Sequence, residues 1–169
     1  RFSRQYCLVG VPDVLVRYRV VVGSMSSNPK RMLDNRLRVL AKHLGEQPHD
    51  AGTSISHQAF ANVWLRGALE YLHADDEQTS YDCLLSAVRL YPQLLGERRL
   101  YYELACSRQE RGSRGDVRQL AVAEQQPLLF DLIVRLTSES ALAPYQADAP
   151  AWRAQALWAL AQLHYQAGE

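Results

Sequence analysis

From residue 28 onward the chain is punctuated as a series of helices, and that punctuation limits its possible folds more than any other feature. Asn28-Pro29 sets a capping side chain before a proline suited to the first helical position, and Asp148-Ala149-Pro150 repeats the device near the C-terminus. The first helix is expected to run from 29 to about 44, where Gly45 stops it. Leu33, Leu37, Leu40 and Leu44 recur at helical spacing and form one apolar stripe. Arg31, Arg38 and Lys42 fall on another face. A basic amphipathic helix can lie on a membrane surface, but solvated charge opposite a buried leucine stripe is the commoner outcome and the reading adopted. Further helices are expected at about 56–74, 77–91, 97–111, 116–137 and 149–167. Pro127 sits inside the segment 116–137 and is expected to kink or split it near Gln126. Residues 138–148, with Pro144, read as a loop.

The first 27 residues have a different character. Tyr6-Cys7-Leu8-Val9 and the run from Val14 to Val22 are rich in β-branched and aromatic residues, as strands prefer. Gly10 and Val11-Pro12-Asp13 punctuate them, and Gly23-Ser24 ends the second. Two strands alone are marginal in water, so residues 6–22 need a partner. Pro48 and Gly52 mark a linker. The expected organisation is therefore an N-terminal part over 1–45, a linker over 46–55 and a helical part over 56–169. The fold class is mainly α, built from antiparallel helical hairpins, with a short extended N-terminal arm.

Charge and cysteine usage narrow the function classes. The chain holds 19 basic and 18 acidic residues, a formal net charge of +1, which argues against nucleic acid as a partner because phosphate binding needs a concentrated basic face. Cys7, Cys83 and Cys106 are widely spaced and form no CxxC pair. They read as reduced thiols of a cytoplasmic protein rather than as disulfides, zinc ligands or redox groups. His43, His49, His57, His73 and His164 show no metal-ligand spacing, and no GxSxG elbow is present. Gly112-Ser113-Arg114-Gly115 is too short for a phosphate loop and reads as a turn between helices. Asp75-Asp76-Glu77, the one consecutive acidic run, reads as a solvated turn with Asp76 near a helix N-terminus. No apolar run is long enough to span a bilayer. No catalytic or metal site is expected among these residues.

Val11-Pro12-Asp13-Val14-Leu15-Val16-Arg17-Tyr18-Arg19, followed by Gly23-Ser24-Met25-Ser26 and the basic helix, resembles the tail of the catalytic domain in glycosyltransferase family 2. The resemblance implies a parent of GT-A fold that uses a nucleotide-sugar donor, a divalent metal on an Asp-x-Asp-type motif and a carboxylate general base. Neither acidic motif is present, and the resemblance places both upstream of Arg1. Residues 1–45 are then the remnant of that catalytic domain, the absent part of the domain is the first expected partner, and the chain alone is expected to be inactive. Arg17, Arg19 and Ser24 would face substrate in the intact parent. Relatives commonly carry a His before the Gly-Ser turn where this chain has Val21, which can neither ligate a metal nor donate to a phosphate.

A second resemblance lies in the helices. Trp64, Ala68 and Tyr71 on one helix, with Ser80, Leu84, Ala87 and Pro92 after it, resemble a tetratricopeptide repeat, in which small and aromatic residues interlock between antiparallel helices. Leu157, Leu160, Ala161, Tyr165 and Gly168-Glu169 resemble the first helix of another repeat. That last helix would show an apolar edge or cover it in an oligomer, so self-association is expected through residues 6–22 or through the C-terminal helix. The segment 97–136 lacks the pattern. The helical part is expected to shape the acceptor cleft, mediate assembly or bind protein. The alternative is a freestanding tetratricopeptide-like scaffold with no enzymatic parent.

Overall fold

The computed structural model describes residues 28–109, 117 and 120–168. Residues 1–27, where the extended arm is expected, with Arg17, Arg19, Val21 and Ser24, lie outside them. The described residues form α1 (Pro29–Leu44), α2 (Ile55–His73), α3 (Glu77–Leu90), α4 (Arg98–Ala105), α5 (Val122–Ser138) and α6 (Ala149–Ala167), with 3-10 turns at Pro92–Gly96 and Ser140–Asp148. The fold is mainly α.

The hairpin of α2 and α3 is the centre of the core. Ser54 caps α2 by accepting the His57 N–H at 3.3 Å, and Asp76 caps α3 by accepting the Thr79 N–H at 3.1 Å. Between the helices Asp75 takes a left-handed backbone (φ 58), which closes the turn in three residues. Ala68 and Ala87 are fully buried, and their small side chains bring the two backbones together. The Ser80 hydroxyl donates to the Ala68 carbonyl at 2.8 Å across that seam. Phe60, Leu69, Leu84 and Val88 fill the space around it, each contributing about 1.5–3 kcal/mol by leaving water.

α1 lies against α2. Asn28 accepts the Arg31 N–H at 3.0 Å and Gly45 ends the helix at φ 85, so both punctuation marks act as expected. Leu33 is buried and Leu37 and Leu40 pack on the core, whereas Leu44, at 42% exposed, leaves the stripe. Gly67 makes this seam possible: a Cβ there would stand 3.1 Å from Leu33 Cδ1. Arg36 and Glu70 pair across the seam at 2.8 Å. The segment after α1 is pinned at two points. Trp64 Nε1 donates to Gln47 Oε1 at 3.0 Å, and the Gly52 N–H donates to the Leu90 carbonyl at 3.0 Å.

The remaining helices form a second layer. Trp152, Ala156, Ala159, Leu160 and Leu163 of α6 are buried, and α6 packs on both α4 and α5. The Tyr101 hydroxyl donates to the Leu95 carbonyl at 2.7 Å and ties α4 to the preceding turn. Three details differ from the sequence expectation. α5 runs unbroken through Pro127, because the one hydrogen bond the proline removes would have reached the carbonyl of Ala123, an exposed residue open to water. The expected loop at 138–148 is wound into a 3-10 turn held by buried Leu142 and by Gln146 donating to the Thr137 carbonyl at 2.8 Å. That turn runs straight into α6, so Asp148 is already helical and makes no side-chain cap.

Candidate functional site

A cleft of about 260 Å³ opens where α3, the C-terminal end of α4 and α5 converge. Two helical stripes build it. Glu77, Ser80, Tyr81 and Leu84 recur on α3 at i, i+3, i+4 and i+7; Gln125, Leu128, Leu132 and Arg135 recur on α5 at i, i+3, i+7 and i+10. Leu72 and Leu104 complete an apolar floor, and Leu128 is nearly half exposed within it. The rim carries both signs of charge. Glu77 pairs with Arg108 across the opening, while Asp131 and Arg135 stand on the α5 side.

Tyr81 closes one end of the cleft. Its hydroxyl donates to Glu139 Oε1 at 2.9 Å, and the Arg135 guanidinium lies 3.8 Å above the ring. Arg89 approaches the other Glu139 oxygen at 3.8 Å. Burial pushes the Tyr81 phenol up to about 12, helped by the bond to Glu139 and by its charge and opposed by Arg135 and Arg89. The phenol is thus a fixed donor at neutral pH. The two serines at the floor are engaged by backbone, Ser80 as described and Ser107 by donating to the Leu104 carbonyl at 2.6 Å. The arrangement suits an apolar side chain inserted between two helices, with the rim charges meeting polar groups beside it. A second cleft of about 310 Å³, between α2 and α4, is lined by Asn62, Arg66, Glu97, Arg99 and Glu103 over four leucines, and is more polar than the first.

Other residues singled out in the sequence have structural roles. Asp75-Asp76-Glu77 divides into a left-handed turn residue, a helix cap and an ion-pair partner. Cys83 and Cys106 are both buried, and burial raises the Cys83 thiol to about 11. His73 Nδ1 lies 3.2 Å from the Ser107 carbonyl. Among the described residues no group of three or more His, Cys, Asp or Glu side chains is placed to hold a metal ion, so the metal implied by the glycosyltransferase resemblance has no site in them. No helix among them is long and apolar enough to cross a membrane.

One constellation escaped the sequence reading. Ser54 Oγ lies 2.5 Å from His57 Nδ1, and Asp50 Oδ1 lies 3.6 Å from His57 Nε2. Its signal is the three-residue spacing of a capping box, with His at the position that Glu or Gln usually fills. Ser54 also accepts the His57 N–H, so the group closes the first turn of α2. The cleft escaped as well, although the Gln125–Leu128–Leu132–Arg135 stripe is legible. No model of a known protein family matches this chain, and neither does any curated protein or solved structure.

Proposed function

We propose that the helices are a non-catalytic docking module, and that the α3–α5 cleft takes one or two apolar side chains of an amphipathic peptide segment. The leucine floor beneath a rim of both charge signs carries this reading. Interlocking of Ala68, Ser80, Leu84 and Ala87 supports a tetratricopeptide-like hairpin, an architecture suited to peptide partners. The full chain would be used to select from a displayed library of amphipathic peptides. Enriched peptides should lose about tenfold or more in affinity for a Leu128→Glu variant, the loss expected of a central anchor. Failure to enrich any peptide, or enrichment indifferent to Leu128→Glu, removes the reading.

The strand-and-turn pattern at 11–26 supports a second element of the proposal: the module serves a family 2 glycosyltransferase that transfers sugar from a nucleotide-sugar donor with a divalent metal. The buried thiols of Cys83 and Cys106 fit a reducing, cytoplasmic setting. A coding sequence upstream of Arg1 should then carry Asp-x-Asp and Glu-Asp motifs, and the longer polypeptide should hydrolyse a nucleotide-sugar. An upstream sequence without them leaves the freestanding scaffold as the better reading.

A further inference from the structure

α6 is apolar on two opposite faces, and only one of them is covered. Trp152, Ala156, Ala159, Leu160 and Leu163 face the core. At 100° per residue the opposite side presents Ala154, Leu157, Trp158, Ala161, Tyr165 and Gly168 as one stripe about 100° wide. All six are exposed, with Leu157 at 49%, Trp158 at 63% and Tyr165 at 86%. No charged or amide side chain interrupts the stripe. α1 and α5, by contrast, turn Arg31, Arg38 and Lys42, and Glu124, Asp131 and Arg135, to solvent. A helix with apolar residues on both sides is characteristic of a buried helix.

We infer that this face of α6 docks on the same face of a second copy of the chain, with the two helices antiparallel about a two-fold axis at Ala161. The order of sizes along the stripe is the argument for a self-complementary partner. Small Ala154, large Leu157, small Ala161, large Tyr165 and small Gly168 read alike in both directions, and Trp158, whose mirror position is His164, stands outside that order. An antiparallel copy centred on Ala161 sets alanine against alanine at the axis, where the backbones approach. Leu157 then lies beside Tyr165 of the second copy, and Ala154 lies against its Gly168.

The flanks fit the same operation. In an isologous antiparallel pair each flank meets itself. One flank carries Gln155 and Gln162, amides that both donate and accept and so pair with their own kind, while Gln166 on that side is turned to α4, where its Oε1 accepts from the Tyr102 hydroxyl at 3.1 Å. The other carries Arg153 and His164; the Arg153 of the second copy lies some sixteen residues, or about 24 Å, away along the helix, well beyond the screening length of about 8 Å, and His164 lies level with Trp158 of the second copy. The Trp158 indole is held by Arg98, whose guanidinium stands 5.1 Å from its ring centroid. The exposed parts of the stripe amount to about 500 Å² per copy, or about 1,000 Å² for the pair, which is the lower bound for a specific interface. An interface at that bound makes a reversible dimer.

Sedimentation equilibrium of the full chain, carrying Cys7→Ser to silence that thiol, tests this between about 1 µM and 1 mM. A monomer–dimer equilibrium is expected, and Ala161→Arg should weaken it by roughly 30-fold or more while leaving the helical circular dichroism unchanged. Cysteine pairs test the register. Ala161→Cys should form a disulfide with itself, and a mixture of Leu157→Cys with Tyr165→Cys should cross-link faster than either variant alone. A monomer at 1 mM, or a dimer indifferent to Ala161→Arg, overturns the inference. Equal self-cross-linking by Leu157→Cys overturns the antiparallel arrangement.

Discussion

At the scale of single residues, a few polar side chains set the turns and the end of the cleft. Tyr81 is the most consequential, because its hydroxyl joins α3 to Glu139 while its ring carries Arg135. Its phenol titrates near 10 when unfolded and is pushed up to about 12 in the fold. A raised value in an acid favours the folded state while the proton is present. The contribution is thus complete below about pH 10 and disappears as pH rises toward 12. In urea unfolding, Tyr81→Phe should cost about 1–2 kcal/mol at pH 8, with the gap to the native sequence closing by pH 12. A gap that stays constant with pH would show that the hydroxyl acts only through packing. The caps at Asn28 and Asp76 were legible because each depends on three or four neighbouring residues. Asp148 was misread for the same reason in reverse: its conformation is decided by buried Leu142 and the turn before it, which local spacing does not reveal.

At the scale of elements, the helices were largely legible, and it was the bounds of α4 and α5 that were not. Apolar periodicity finds α2, α3 and α6 within a residue or two, since each buries a stripe. The segment expected at 97–111 contracts to α4, Arg98–Ala105, and Pro127 fails to break α5 because it lies near the start, beside exposed backbone. The docking of α1 was invisible, because it depends on what faces Gly67 rather than on its neighbours in sequence. Arg36 and Glu70 add an ion pair to that seam, yet Arg36 Nη1 and Glu70 Oε2 are buried without a hydrogen-bond partner. Gly67→Leu should displace Leu33 and release α1, lowering stability by about 2–3 kcal/mol. Limited proteolysis should then cut within residues 45–54, where the native chain is pinned. Unchanged cleavage would mean that the hydrogen bonds of Gln47 and Gly52 hold the segment without α1.

At the scale of the whole molecule, the mainly α class followed from periodicity alone, but the cleft required the relative placement of α3 and α5, nearly fifty residues apart in sequence. Fully buried Ala68, Leu69, Ala87 and Val88 make the α2–α3 hairpin the most protected unit. Its amides should exchange last with deuterium, and those of α1 earlier, in a native-state exchange experiment. Simultaneous exchange of both would mean that the chain opens as a single unit. The contact of Leu33 with Gly67 also has a mechanical side. It sits about 7.5 Å along the axis from Asn28 and about 16.5 Å from Leu44. Leu37 and Leu40 pack on the core and Arg36 pairs with Glu70 further along the same face, so α1 is a bar clamped at several points rather than at one. A push at Asn28 is therefore taken up along the α1–α2 seam, and it reaches the Gly52 tether on α3 only if the whole bar slides.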